Sequence, residues 1–289
     1  MEFPQDFTAR ERALLGARFD ELYAYATPQP ARGVTVNALR CTPEWFAQHA
    51  DFDAQPSKFC QTAFTTAADF RPGRHAWHHA GVLYAQEPSA SAPAALLDVQ
   101  PGMRVADLCA APGGKSFSAA FAMEDQGEIL ACDLHENKLK RIREGAERLG
   151  LACIQTTAAD GRGFRPEWEA RFDVVLVDAP CSGFGIIRKK PDVRYKKPDD
   201  LFALPVIQRA ILDNAARYVR PGGTLVYSTC TILPEENEGV SDSFLAEHPD
   251  FCRTPFSLSG PVGETEGQVT LWPHRHGTDG FYICRMTRN

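Results

Sequence analysis

The chain has no run of eighteen apolar residues, which argues against a membrane-spanning helix. Its start, Met1-Glu2-Phe3-Pro4-Gln5-Asp6, lacks the basic and apolar segments of a secretory leader, so a cytoplasmic location is expected. No CxxC pair occurs and no His/Cys group has zinc spacing, so no metal site is expected. The nine cysteines show no disulfide framework and read as free thiols. No internal repeat argues for a solenoid. Excess positive charge is missing as well: 31 basic against 37 acidic residues give a net charge of -6. Any contact with nucleic acid must therefore come from a local basic patch.

What remains is an ordinary globular composition, 44% hydrophobic and 24% charged, long enough for one large and one small domain. Residues 1–85 read as a small N-terminal α+β domain. Ala13–Tyr25 looks helical, Thr42 and Pro43 suit the start of another helix, and Gly33–Asn37 looks like a strand. The Pro-, Ser- and Ala-rich stretch Ala85–Pro93 reads as a link to a second domain, 86–289.

In that second part short apolar runs alternate with helical patterns. Arg104–Leu108, Glu128–Asp133, Asp173–Asp178 and Gly223–Ser228 are the predicted strands. Lys115–Met123, Asn137–Leu149 and Leu201–Val219 are the predicted helices, the last stopped by Pro221-Gly222-Gly223. Such alternation predicts an α/β fold with a parallel sheet covered on both faces. Val269–Trp272 and Gly280–Arg285 are expected to close it as an antiparallel edge. Asp107, Asp133 and Asp178 end strands, and Asp160 follows the run Leu151–Thr157. All would lie on the rim where open α/β sheets bind ligands.

The first strand enters Asp107-Leu108-Cys109-Ala110-Ala111-Pro112-Gly113-Gly114-Lys115-Ser116. Small residues let backbone approach a ligand, and the following helix offers its N-terminal amides. Gly114-Lys115-Ser116 fits the end of a P-loop, and an NTPase stays open as an alternative. Against it, Cys109 stands where the first P-loop glycine belongs, and Pro112 lacks an N–H. An adenosyl cofactor is favoured by Asp133, about 20 residues on, where an acid receives ribose hydroxyls.

Two cysteines follow strand ends: Cys181 in Asp178-Ala179-Pro180-Cys181-Ser182-Gly183, and Cys230 in Ser228-Thr229-Cys230-Thr231. Cytosine carbon-5 is a weak nucleophile, but a thiolate added at carbon-6 makes it enamine-like. That is covalent catalysis by an activated thiol. Asp178 is placed to contact the N3/N4 edge of the ring; a base must then remove the carbon-5 proton so that the thiol can leave, and a second thiol nearby is available to serve or assist there.

The segments DLCAAPGGKS, DAPCSGFG and STCTILPEENEG resemble the cofactor loop and the two cysteine motifs of the RsmB/RsmF (NSUN-type) family of RNA 5-methylcytosine methyltransferases. The similarity runs from Arg32–Asn37 through His79–Gly81 and Gln86–Ala90 to Gly280–Tyr282, most like the RsmF branch. It implies a Rossmann-like class I methyltransferase fold, a mostly parallel seven-stranded sheet with an antiparallel edge. It implies S-adenosyl-L-methionine as cofactor, held by Cys109, Ala110, Ala111, Pro112, Gly113, Gly114, Lys115, Asp133, Asp160 and Asp178. It implies Cys230 as nucleophile and Cys181 as the residue assisting product release. Ribosomal RNA is the first expected substrate, transfer RNA the second, and a monomer the expected state. The chain stops about where the catalytic domain of such proteins should, without their accessory RNA-binding region, which leaves substrate guidance to residues 1–85 and the catalytic face.

Within this acidic chain, Arg188-Lys189-Lys190-Pro191-Asp192-Val193-Arg194-Tyr195-Lys196-Lys197 follows the Cys181 turn. Arg188, Lys189, Lys190 and Arg194 are the expected phosphate contacts, with Tyr195 available to stack on a base.

Overall fold

The computed structural model describes residues 3–25, 32–196, 198–260 and 262–289. It opens on two helices, α1 (Gln5–Leu15) and α2 (Arg18–Tyr25), where the sequence predicts one over Ala13–Tyr25. Gly16 divides them at φ 55, in the left-handed region that a glycine enters without cost. A four-stranded antiparallel sheet follows, β1 (Arg32–Val36), β2 (Ala54–Pro56), β3 (Ala63–Thr66) and β4 (Leu83–Ala85), in the order β2–β3–β1–β4. Between its strands lie α3 (Pro43–His49) and the single turn α4 (Ala76–His79). Thr42 caps α3 by accepting the Trp45 N–H at 3.2 Å, with Pro43 in the first turn. Phe46 of α3 is wholly buried in the cluster formed by Val34, Val36, Phe64 and Leu83.

The expected link at Ala85–Pro93 is mostly helix: α5 spans Pro88–Ala95. Pro88 takes the first position, where no donor is needed, and the Glu87 carboxylate accepts the N–H groups of Ser89 and Ala90. Then come β5 (Arg104–Asp107), α6 (Gly114–Ala122), β6 (Glu128–Asp133), α7 (Glu136–Leu149), β7 (Ile154–Ala158), β8 (Phe172–Asp178), α8 (Pro198–Tyr218), β9 (Val219–Thr229) and α9 (Glu238–Glu247). The chain closes through β10 (Phe251–Arg253), the hairpin β11 (Phe256–Leu258) and β12 (Gly263–Thr265), β13 (Gln268–Leu271), the turn α10 (Pro273–His276) and β14 (Phe281–Arg288). Helix α7 shows the logic of these elements. Leu139, Ile142, Ala146 and Leu149 fall on one face and are buried, and Gly150 ends the helix at φ 73.

The main sheet has eight strands rather than the expected seven, in the order β10–β14–β9–β8–β5–β6–β7 with β13 also on β14. β7, β6, β5, β8 and β9 are parallel, and β14 runs antiparallel to β9. The extra strand arises because β13 and β10 share the outer edge of β14, one beside Phe281–Cys284 and the other beside Met286–Arg288. Pro221-Gly222-Gly223, expected to be a helix stop, lies inside β9. The ladder with β8 jumps there from Phe172 opposite Val219 to Val174 opposite Thr224, so the intervening residues bulge out.

Helices α5, α6 and α7 bury Ala92, Phe117, Phe121 and Ile142 on one face of this sheet. Helices α8 and α9 bury Ile211, Leu212, Val240 and Phe244 on the other. The order reverses between β5 and β8, so their carboxyl ends open the crevice where such sheets take ligands. Residues 1–85 serve that crevice in two ways. The Tyr84 hydroxyl donates to the Gly114 carbonyl at 2.8 Å, tying the small sheet to the glycine loop. Phe7, Phe19, Leu22 and Tyr23 of α1 and α2 instead share a core with Phe184, Ile187, Ile232 and Leu233, from the segments that follow the two cysteines. Among the described residues, no helix is long and apolar enough to cross a membrane.

Candidate active site

The site is assembled at the ends of β5, β6, β8 and β9. After β5 the chain turns through residues 109–113 into α6. Gly113 adopts φ 108, and a Cβ there would meet the Phe117 ring at 2.6 Å; one on Gly114 would meet Gln86 at 2.9 Å. At Gly113 glycine alone suits both the conformation and the space, so the backbone of the turn stays bare there. Asp107, two residues before the turn, is wholly buried and accepts the Ser116 hydroxyl at 2.7 Å. Burial pushes its carboxyl up to about 7.

A cleft of about 530 Å³ runs along these strand ends. Asp133, Leu134, Asp160, Asp178, Cys181 and Cys230 all line it. Asp133 accepts the His135 N–H at 3.0 Å and has the Lys138 ammonium 3.4 Å away. Asp160 is gripped by Arg162, whose guanidinium hydrogen-bonds both carboxylate oxygens and holds the acid below its ordinary range. The sequence does not announce this grip, although Arg162 lies only two residues on.

Asp178 is held from two sides. The Lys115 ammonium donates to one oxygen at 2.7 Å and the Ser228 hydroxyl to the other at 2.8 Å. Burial opposes charge on Lys115, but Asp178 and Asp107 outweigh it and raise its pKa. Lys115, assigned to the cofactor loop, therefore points its charge at the catalytic end. It also lies 5.2 Å from the centre of the Phe281 ring.

The two sulfurs are 3.3 Å apart. The Cys181 S–H held against Cys230 lowers the pKa of Cys230; burial and Asp178 oppose this, while Lys115 and Lys190 assist. The same hydrogen bond, with burial and Glu236, pushes the Cys181 thiol far up. The directions of these two shifts favour Cys230 over Cys181 as the thiolate, the species that acts as a nucleophile. Neither cysteine's motif reveals this asymmetry, since it depends on strands that meet only in the fold.

The basic run is divided. Arg188 is not turned to solvent: its side chain is 4% exposed and lies 3.1 Å from Asp279. Arg188, expected as an RNA contact, thus has its guanidinium committed to Asp279. Lys189 also reaches Asp279, at 2.6 Å, and the Arg194 guanidinium sits over Phe3 and Tyr195. Lys190 is exposed and lines the cleft, and Tyr195 is 64% exposed. Lys196 donates to the Ser182 carbonyl at 2.7 Å. Lys197 lies outside the described residues.

Comparison with known proteins fits this geometry. The family model described as 16S rRNA methyltransferase RsmB/F matches residues 94–287, and that of the N-terminal domain of 16S rRNA methyltransferase RsmF matches residues 3–88. A probable ribosomal RNA small subunit methyltransferase B of Bacillus subtilis (strain 168) is 45% identical over 216 residues, 72% of this chain and 48% of its own length. A ribosomal RNA small subunit methyltransferase F of Klebsiella pneumoniae (strain 342) is 32% identical over 303 residues, 99% of this chain and 64% of its own. The chain thus spans about half to two thirds of these curated relatives. The crystal structure of a methyltransferase homologue from Pyrococcus horikoshii superposes with a TM-score of 0.87 at 28% identity, covering 99% of this chain and 96% of that one.

Proposed function

Since the chain belongs to the 16S rRNA methyltransferase RsmB/F family, we propose that it uses S-adenosyl-L-methionine to methylate carbon-5 of a cytosine in RNA, ribosomal RNA first, through a covalent adduct on Cys230. The observation that carries this reading is the pair of sulfurs 3.3 Å apart, in the same cleft that Asp133 lines. A P-loop NTPase has no use for such a pair, and Lys115 is committed to Asp178 rather than to a phosphate.

The residues present suit the cofactor. Asp133, at the end of the second parallel strand, is the acid for a ribose diol. Leu134, 55% exposed in the cleft, offers apolar contact to an adenine. The turn at 109–115 gives backbone access to the polar tail. Bound there, the cofactor supplies an electrophilic sulfonium methyl group. We expect Asp133→Ala to weaken binding of S-adenosylmethionine by about 10- to 100-fold in calorimetry, the scale of hydrogen bonds to a charged acceptor. Unchanged affinity would remove Asp133 from the site.

The chain's own chemistry is that of an activated thiol. Cys230 adds to carbon-6, which makes carbon-5 nucleophilic. Asp178, held by Lys115 and Ser228, faces the polar edge of the ring. Once carbon-5 has gained its methyl group, its proton passes to solvent water in the open cleft, the freed electron pair re-forms the carbon-5–carbon-6 double bond, and Cys230 leaves as a thiolate. The Cys181 thiol, 3.3 Å away, donates a hydrogen bond to that departing thiolate. The base must be unstacked to reach the cleft.

Incubating the protein with methyl-labelled cofactor and either ribosomal or transfer RNA, then mapping the label, tests the proposal. Label in 5-methylcytosine supports it, and the preferred RNA decides between the two substrates; label on another base or none at all overturns it. Lys190 is one of the basic residues that line the cleft from an exposed position, beside the Cys181 turn. Lys190→Ala should weaken RNA binding across sequences and lower the slope of log K against log salt by about one. A salt slope like that of the unaltered protein would take Lys190 off the phosphate path.

A further inference from the structure

Both cysteines sit in turns, and each turn is bracketed by one of two consecutive residues. Asn237 is 1% exposed and brackets Cys230: its carbonyl oxygen accepts the Thr229 hydroxyl at 2.6 Å, and its amide donates to the Thr231 carbonyl at 3.2 Å. Glu236, also 1% exposed, brackets Cys181: its carboxylate accepts the Ser182 N–H at 2.8 Å and the Gln208 amide at 2.8 Å. That Gln208 amide also donates to the Pro180 carbonyl at 2.9 Å, so both neighbours of Cys181 are tied to Glu236. The Glu236 backbone carbonyl accepts the Tyr227 hydroxyl at 2.6 Å, which anchors the brace to the strand that leads into Cys230. Ser182 and Thr231 join the turns directly through a hydroxyl–hydroxyl bond of 2.7 Å.

We propose that Glu236 and Asn237 are the positioning residues of the thiol pair, a two-residue brace that sets the sulfur–sulfur separation and keeps Cys181 the donor and Cys230 the acceptor. This rests on the reading of Cys230 as nucleophile. The two residues differ in charge, and the difference has a direction. An acid belongs on the Cys181 side because negative charge disfavours a thiolate there; a neutral amide belongs on the Cys230 side because it does not. The other charged and titratable groups facing the pair include Asp178 from β8, Lys115 from α6, Lys190 and Lys196 from the basic run, the latter on the Ser182 carbonyl at 2.7 Å, and Tyr227 from β9. Of these, Asp178, Lys115 and Lys190 act on Cys230, and Glu236 is the acid that acts on Cys181. Gln208 and the Ser182 amide reach the carboxylate from α8 and from the Cys181 turn itself.

The test is the pH profile of iodoacetamide alkylation at each cysteine, read by mass spectrometry on the full chain without RNA or cofactor. In the unaltered protein, Cys230 should react at lower pH than Cys181. Glu236→Gln keeps the size of the side chain and removes its charge. It should raise Cys181 alkylation at neutral pH by about tenfold, the effect of one pKa unit on the thiolate fraction, and move Cys230 to higher pH. Asn237→Asp, also of unchanged size, should move Cys230 to higher pH. It carries the test if the first variant does not fold. Profiles unchanged in either folded variant overturn the brace. Methyl transfer to RNA is measured separately: a protein with the expected profiles but no transfer would sink the proposed reaction and leave the brace standing.

Discussion

Cys230→Ala should abolish methyl transfer and leave no covalent protein–RNA complex, whereas Cys181→Ala should lose turnover and accumulate that complex. The expected loss with Cys230→Ala is on the order of 10⁴-fold or more, the scale on which removal of a covalent nucleophile acts. Without the thiolate, carbon-5 never becomes nucleophilic, and nothing else at that end of the cleft can take its place. Asp178 is occupied by Lys115 and Ser228, and Asp107 is buried beneath the turn. Cys181 is 3.3 Å from the missing sulfur, yet Glu236 and burial hold it as a thiol. In Cys181→Ala the order of events is reversed. Cys230 still adds, but its departure has lost its hydrogen-bond donor, so the adduct persists. Denaturing gel electrophoresis of protein mixed with labelled RNA and cofactor distinguishes the two. A stable complex with Cys230→Ala and none with Cys181→Ala would exchange the roles of the cysteines.

The cleft was legible in the sequence to the extent that its residues lie next to strand ends. Asp133, Asp160, Asp178, Cys181 and Cys230 each follow or end an apolar run, and a parallel sheet gathers such positions on one rim whatever the loops do. The strand and helix runs of the second domain were visible for the same reason, since burial on both faces leaves near-continuous apolar stretches. What stayed hidden depends on long-range pairing. Gln208 lies in the middle of α8 and carries no motif, yet it reaches Pro180 and Glu236. Asp279 is 91 residues from Arg188 and turns an apparent RNA contact inward. Helix α5 was missed because its alanines, serines and prolines resemble a linker. Only the Glu87 cap and the burial of Ser89, Ser91 and Ala92 against the core make it a helix.

The second large effect is expected at Lys115. Its ammonium is largely buried, 2.7 Å from Asp178. Lys115→Met keeps most of the apolar stem and removes the charge from both of its neighbours. Asp178 is left with the Ser228 hydroxyl as its remaining partner here, and with a carboxylate that no cation offsets. Cys230 loses one of the two lysines that favour its thiolate, while the opposing influence of Asp178 grows. Both changes push the Cys230 pKa up, so the fraction of thiolate at neutral pH falls. The acid limb of the kcat/KM profile should therefore move to higher pH, and transfer at pH 7 should fall by about 10²–10³-fold, the usual cost of one preorganised charge at a reacting centre. Raising the pH should recover part of that loss, because the thiolate forms again, but not the part owed to a displaced Asp178. Cofactor binding measured by calorimetry separates this from a defect in the glycine loop. If Lys115→Met lost affinity for S-adenosylmethionine in proportion to its rate, with an unmoved pH profile, then Lys115 would serve the cofactor loop and not the thiol.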